Sequence, residues 1–188
     1  MLRIAITGNI ASGKSQAEKF ISSLGYPVYD SDKIAHEVLN DIKEFYDYDV
    51  FTEGKIDRKK LGSLVFSNPD IKKKLENLTH PQIKSKILCI FDMHKSDDFV
   101  FVSVPLLYEA GFDDIFDKVL LIKSNSNIQL KRLMSRNNLS EEDALKRIYA
   151  QLSQEHKEKY ADFIIENNST IEELQTKINE FITELKQI

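Results

Sequence analysis

Residues 8–15 read Gly8-Asn9-Ile10-Ala11-Ser12-Gly13-Lys14-Ser15, which has the spacing G-x-x-x-x-G-K-S of a phosphate-binding loop. Each fixed position has a physical reason. Glycines let the backbone curl until successive N–H groups point at phosphate oxygens, and a helix starting there adds its positive N-terminal end. Lys14 brings a point charge to the β- and γ-phosphates of a nucleotide, and the Ser15 hydroxyl can ligate magnesium. The flanks agree with this reading. Leu2 to Thr7 reads as a short buried strand, and Gln16 to Leu24 reads as a helix ended by Gly25.

Outward from the loop, short apolar strands alternate with amphipathic helices, the pattern of a parallel α/β sheet. The strand candidates are residues 2–7, Pro27 to Tyr29, Phe99 to Val104, Lys118 to Ile122 and Phe163 to Ile165. Between the second and third lies a long polar stretch, roughly 33–98, that reads as helix throughout. Asp57 can cap one helix there, Asn68-Pro69 can open another, and a further helix is expected after His80-Pro81. This stretch is longer than one crossover needs, so part of it should form a lobe beside the nucleotide core. Ser140 with Asp143, and Thr170 with Glu173, look like capping boxes of later helices. The stripe Ile171, Leu174, Ile178 and Phe181 has helical spacing and reads as core.

The bulk properties point to a soluble enzyme of the cytoplasm. The 188 residues are enough for one domain with a sizeable core and an excursion. A net charge of −4 gives no basic field for nucleic acid or an anionic membrane. The single cysteine, Cys89, excludes an intramolecular disulfide and reads as a core residue within Ile87-Leu88-Cys89-Ile90. His94 and His156 have no neighbouring ligand pattern and are expected at the surface. Lys72-Lys73-Lys74 reads as an exposed helix face.

A phosphate loop gives nucleotide binding but not the reaction. Asp30 and Asp32 follow the second strand in Val28-Tyr29-Asp30-Ser31-Asp32, and ligands of open α/β sheets gather at carboxyl ends of strands. A carboxylate there could take a proton from an acceptor hydroxyl, help hold magnesium, or simply cap the next helix. A cationic group, Lys131, Arg132, Arg136, Lys146 and Arg147, follows the fourth strand. It reads equally as a segment closing over a transferring phosphoryl group or as a solvated face balanced by Glu141, Glu142 and Asp143.

Taken in order, these segments resemble the dephospho-CoA kinase family, nearly end to end. Thr7 to Ser15 is similar to its phosphate loop, and Asp30-Ser31-Asp32 with Ala35-His36-Glu37 to its Asp-x-Asp segment. Gly54-Lys55-Ile56-Asp57-Arg58 with Leu61 to Phe66, then Leu78-Thr79-His80-Pro81, resemble its Gly-x-x-Asp-Arg and His-Pro blocks. Val104-Pro105-Leu106-Leu107-Tyr108-Glu109 is similar to its Pro-Leu-Leu-Phe-Glu motif. Gln129, Arg132 and Arg136, with Arg147-Ile148 and Gln151, resemble its lid, and Ala161 to Asn167 its closing Ala-Asp-x-x-Ile-x-Asn.

The resemblance implies a P-loop kinase fold like that of nucleoside monophosphate kinases: a five-stranded parallel sheet flanked by helices. In domain terms it implies a core of about 1–32, 99–130 and 155–188, a helical acceptor-binding lobe of about 33–98 and a helical lid of about 131–154. The implied substrates are ATP and 3′-dephospho-CoA, with Mg2+, in a monomer or weak homo-oligomer. Asp32 would be the general base, and Gly8, Ala11, Ser12, Gly13, Lys14, Ser15 and Gln16 would hold the ATP phosphates, with Ser15 and Asp30 at the metal. Arg136, with Arg132 and Arg147, would close over the phosphoryl group. Asn167 would approach the adenine of ATP, and His80, Tyr108 and Glu109 lie in segments near the acceptor.

The chain also departs from the family pattern. Asn9 and Ala11 stand where glycines are usual. Asn tolerates a left-handed backbone, so position 9 is a mild change, and Ala11 implies a negative φ there. His36 replaces a common arginine, Ser103 an aspartate before the Pro-Leu-Leu segment, and Ser169 a glycine, while residues 40–53 are shorter than usual and lack a glycine. The rival readings are another P-loop nucleotide or metabolite kinase, and a nucleotide-dependent switch. A GTPase switch would carry an Asn-Lys-x-Asp guanine motif, which this sequence lacks.

Overall fold

A computed structural model describes residues 1–40, 42, 48–53 and 55–188. Gly54, and residues 41 and 43–47 of the shortened stretch 40–53, lie outside the described residues. The chain forms two compact units, one of Met1–Tyr29 with His94–Ile188, the other of Asp30–Met93.

The first unit is built on strands β1 (Leu2–Thr7), β2 (Val28–Asp30), β5 (Phe99–Ser103), β6 (Lys118–Lys123) and β7 (Phe163–Glu166), ordered β2-β5-β1-β6-β7. β1 pairs in parallel with β5 (Ile4 opposite Phe101) and with β6 (Ile6 opposite Leu120), and β6 pairs in parallel with β7. The Phe101 amide donates to the Pro27 carbonyl at 3.0 Å, tying in the β2 edge. Every residue of β5 is buried, as expected of a parallel strand covered on both faces. Alternate strand residues Ile4, Ile6, Phe99, Phe101, Leu120 and Ile122 pack with Ala17 and Ile21 of α1 (Lys14–Ser23) and with Leu174, Ile178 and Phe181 of α8 (Ile171–Leu185). Ile171, expected in that stripe, is 53% exposed, because it is the first residue of its helix. The five strand expectations and the two caps at Ser140 and Thr170 hold. The chain leaves β1 toward β2 on one side and later places β6 on the other. The strand order therefore reverses at β1, and the loop after β1 opens at that switch point.

The second unit contains α2 (Ser31–Asn40), β3 (Phe51–Thr52), β4 (Lys55–Ile56), α3 (Arg58–Ser67) and α4 (Pro69–Met93). Its core joins Ile42, Val50, Ile56 and Leu61, with Leu75 and Leu78 packed against them. The expected caps are made: Asp57 accepts from the Lys59 and Lys60 amides, and Asn68 from those of Asp70 and Ile71. Three expectations fail here. The stretch is not helix throughout, because β3 and β4 pair antiparallel with Phe51 opposite Ile56. Two-residue strands in a polar region carry too little alternation to read. No helix starts after His80-Pro81, since α4 runs through Pro81. Proline inside a helix costs about 3 kcal/mol. The buried stripe Thr79, Ile83, Ile87, Ile90 and Phe91 continues across it, and the Gln82 side chain donates to the Leu78 carbonyl at 3.0 Å. Cys89 falls off that stripe and is exposed rather than core.

After β6 come helices α5 (Ser126–Asn137), α6 (Glu141–Tyr149) and α7 (Gln154–Glu158). No described helix is long and apolar enough to cross a membrane.

Candidate functional site

The loop between β1 and α1 is a tight cradle. A Cβ at Gly8 would press on the Ile122 carbonyl and lie 2.8 Å from Ser12 Oγ. At Gly13, φ is 98°, and a Cβ would collide with the Asn167 side-chain amide, which donates from Nδ2 to the Ser12 carbonyl at 2.9 Å. Ala11 has φ 62°, against the expectation of a negative value, and Asn9 is not in the left-handed region. An alanine there costs about 1–2 kcal/mol, which surrounding bonds offset. The Ile10 amide donates to Gln151 Oε1 and its carbonyl accepts from Gln129 Nε2, both at 2.8 Å. Asn9 spends its side chain on the Leu152 carbonyl, again at 2.8 Å, which explains why a side chain rather than backbone freedom is useful at position 9. Ser12 Oγ and Asn9 Oδ1 are buried without hydrogen-bond partners among the described residues. The Ser12 hydroxyl, buried beside curled backbone with a proton to give, suits an anionic ligand that accepts it; Asn9 Oδ1 is itself an acceptor and does not.

Lys14 begins α1 and its Nζ is held by Glu18 Oε1 at 2.6 Å and by the Ser103 hydroxyl. Ser103, at the end of β5, in turn donates to Glu18 Oε1 at 2.6 Å. Ser15 and Gln16 are exposed at the start of the same helix. Among the described residues no three acidic, histidine or cysteine side chains form a metal cage.

The cationic group divides. Arg132 is half-buried and its Nη1 donates to the Asn167 carbonyl at 2.9 Å, so Arg132, Asn167, Gly13 and Ser12 form one connected patch. Arg136 is exposed in the last turn of α5, with Nε on Asn137 Oδ1 at 2.9 Å, and Arg147 is exposed on α6. Lys146 takes the surface reading, paired with Glu142 at 2.7 Å.

In the Pro105–Glu109 segment, Glu109 Oε1 accepts from the Leu152 amide at 3.0 Å and meets Lys157 Nζ at 3.0 Å. Lys157 is fully buried and also donates to the Pro105 carbonyl at 3.1 Å. Nothing in the sequence marks this residue, since a lysine in a polar helix looks like surface. Burial pushes the Tyr108 hydroxyl up to about 12, with Asp113 and Asp162 adding to it, so Tyr108 remains protonated. His94 is half-buried rather than at the surface, bonded to Tyr29 Oη at 2.6 Å and Asp97 Oδ2 at 2.5 Å, whereas His156 is exposed as expected.

The second unit carries Asp30, Asp32 and His80. Asp30 Oδ1 accepts from the Asp32 amide at 2.9 Å, so Asp30 makes the cap of α2. Asp32 stands exposed in the first turn, and His80 is half-buried in α4.

Comparison with known proteins adds the family. A family model described as CoaE, dephospho-CoA kinase, matches residues 2–173. A dephospho-CoA kinase of Oceanobacillus iheyensis is 38% identical over 95% of this chain and 94% of its own length. Among solved structures, a Thermus thermophilus protein is 34% identical, with TM-score 0.84 over 98% of this chain and 97% of that one. The dephospho-CoA kinase of Campylobacter jejuni is 36% identical, with TM-score 0.77 over the same shares.

Proposed function

The chain belongs to the dephospho-CoA kinase family, and we propose how its residues perform that family's reaction, the last step of coenzyme A synthesis. The γ-phosphoryl group of ATP passes to the ribose 3′-hydroxyl of 3′-dephospho-CoA, giving coenzyme A and ADP. The observation that carries the nucleotide half is the Gly8–Lys14 cradle, with its left-handed turns and orphaned Ser12 hydroxyl.

In this reading Gly8, Ala11, Ser12, Gly13, Lys14, Ser15 and Gln16 bind the ATP phosphates through backbone N–H groups, the Lys14 ammonium and the hydroxyls. Asn167 and Arg132 brace that loop beside the adenine. Asp32 accepts the proton of the 3′-hydroxyl as its oxygen bonds to the γ-phosphorus and the bond to the bridging β,γ-oxygen breaks. Arg136 and Arg147, exposed in the present form, neutralise the equatorial oxygens and exclude water. Ser15 and Asp30 would hold magnesium, which supplies charge neutralisation on the β- and γ-oxygens. His80, Tyr108 and Glu109 serve the acceptor side. The core comprises about 1–32, 99–130 and 155–188, with an acceptor-binding lobe of about 33–98 and a lid of about 131–154. The protein acts in this reading as a monomer or weak homo-oligomer on small molecules; the lone cysteine fits a reducing cytoplasm, and the charge of −4 gives no field for nucleic acid.

A coupled ADP-release assay across dephospho-CoA, adenosine and nucleoside monophosphates tests the assignment. Rapid ADP formation with dephospho-CoA alone, and coenzyme A as product, is the expected result. Preference for a nucleoside monophosphate would overturn it in favour of another nucleotide kinase.

A further inference from the structure

We propose that Glu18 is a positioning residue for the magnesium–nucleotide site, supplying from helix α1 the carboxylate that the end of strand β5 lacks. The inference rests on the kinase reading above. Phosphate-loop enzymes hold their metal through the loop hydroxyl and a carboxylate on a neighbouring strand end. Here the strand beside β1 on that side is β5, and it ends in Ser103, whose hydroxyl cannot carry charge.

The structure shows what takes its place. Ser103 is fully buried and commits its hydroxyl proton to Glu18 Oε1 at 2.6 Å. The same oxygen receives Lys14 Nζ at 2.6 Å, and the Glu18 side chain is only 16% exposed. Glu18 Oε2 makes no hydrogen bond among the described residues, so the carboxylate keeps acceptor capacity in a nearly buried place. A simple helix-stabilising pair of lysine and glutamate four residues apart is worth a few tenths of a kcal/mol and sits in solvent. Burial and the third partner from β5 set this pair apart. When nucleotide phosphates draw the Lys14 ammonium away, Glu18 is left with Ser103 as its donor, its negative charge uncompensated, one turn along α1 from Ser15. Such a carboxylate orients the water shell of a cation at Ser15 by accepting hydrogen bonds, without touching the metal.

The consequence separates two properties that a structural role would move together. Glu18→Gln keeps the shape and the bond from Ser103 but releases Lys14 and removes the charge. We expect binding of a non-hydrolysable imido analogue of ATP, measured by calorimetry in EDTA, to be unchanged or tighter. Magnesium affinity of the nucleotide complex should fall about 10- to 100-fold, the usual cost of losing an orienting group outside the metal's own ligands. Adding Ser103→Asp to Glu18→Gln should restore magnesium affinity to within about threefold of wild type. Should Glu18→Gln fail to fold, Ser103→Ala cuts the same link without altering α1 and should lower magnesium affinity about tenfold. Magnesium dependence within about twofold of wild type in Glu18→Gln (or in Ser103→Ala), or no recovery with Ser103→Asp, overturns this inference while leaving the kinase assignment standing. A wild-type chain that bound no nucleotide would overturn the kinase reading, and this inference with it.

Discussion

Replacing Lys157 by Met removes a charge from a place the solvent does not reach. Met keeps most of the stem's volume, so the loss is electrostatic rather than a cavity. Lys157 Nζ lies 3.0 Å from Glu109 Oε1 and 3.1 Å from the Pro105 carbonyl. Removing one partner of a buried pair costs about 3–5 kcal/mol, because the other charge is left without compensation. Glu109 retains the Leu152 amide and is 21% exposed, which places the cost near the lower bound, about 3 kcal/mol. For a chain of this size each kcal/mol moves the melting temperature by about 2–4 °C, so Lys157→Met should melt about 6–12 °C lower. Glu109→Gln in the same chain removes the stranded charge and still accepts the Leu152 amide. The double variant should therefore regain at least half of the loss. Urea unfolding followed by circular dichroism, with thermal melts beside it, measures both. A loss under about 1 kcal/mol, or a double variant no more stable than the single one, would refute the reasoning that this pair is an electrostatic strut.

Asp32→Asn should lower turnover about a hundredfold, the low end for general base catalysis because phosphoryl transfer has a loose transition state; its melting temperature should stay put, since Asp30 makes the α2 cap. Steady-state kinetics with saturating substrates checks it, and a change under about threefold would mean Asp32 only positions the acceptor. Arg136→Lys keeps the charge but loses the two-pronged donor geometry, so turnover should fall while the stability of the nucleotide-free protein is unaltered, as its side chain is exposed. The bond from the Arg3 side chain, more than any other cause, holds the Asp117 carboxyl below its ordinary range. A depressed carboxylate stabilises above its unfolded pKa and stops doing so as pH falls through its folded value, so Asp117→Asn should cost about 1 kcal/mol at pH 7. In melts taken at successively lower pH, that gap should close below about pH 4.

The parts of the fold that could be read from the chain are those where one local rule decides. The inner strands β1, β5 and β6 are largely apolar runs buried in the sheet, as covered parallel strands must be, while the edge strands β2 and β7 are shorter apolar runs that follow turn residues. Asp57, Asn68, Ser140 and Thr170 cap because a side-chain oxygen at that spot meets amides that nothing else satisfies. The misses share a different cause. Pro81 sits inside α4 because a buried stripe on one face outweighs a local penalty, and that stripe exists only once the partners of α4 are in place. Cys89 lies in an apolar tetrapeptide yet is exposed, since in a helix two neighbours of such a run must point outward. Lys157 and Glu18 are charged residues in polar segments, and their partners, Glu109 with Pro105 and Ser103, lie in remote parts of the chain.

The same distinction applies within the candidate site. The motif residues were legible because phosphate chemistry demands those residue types, but their conformations depend on distant groups. Ala11 is the clearest case. Its left-handed backbone is unfavourable in isolation, and the bonds that surround it come from Gln129 on α5 and from Gln151 and Leu152 after α6. The curl of the Gly8–Lys14 loop is thus held in part by residues 129, 151 and 152, far along the chain. Leu152 is also the residue whose amide is fixed by Glu109 and, through it, by Lys157. Any displacement of residues 151–152 must lengthen the bonds to Ile10 and Asn9, on which the strained turn depends. The backbone at Asn9 and Ile10 and the position of residues 151–152 are therefore coupled in this chain through a glutamine and an asparagine side chain. An asparagine at position 9 is consistent with that arrangement, because a glycine there would free the backbone and remove the bond to Leu152.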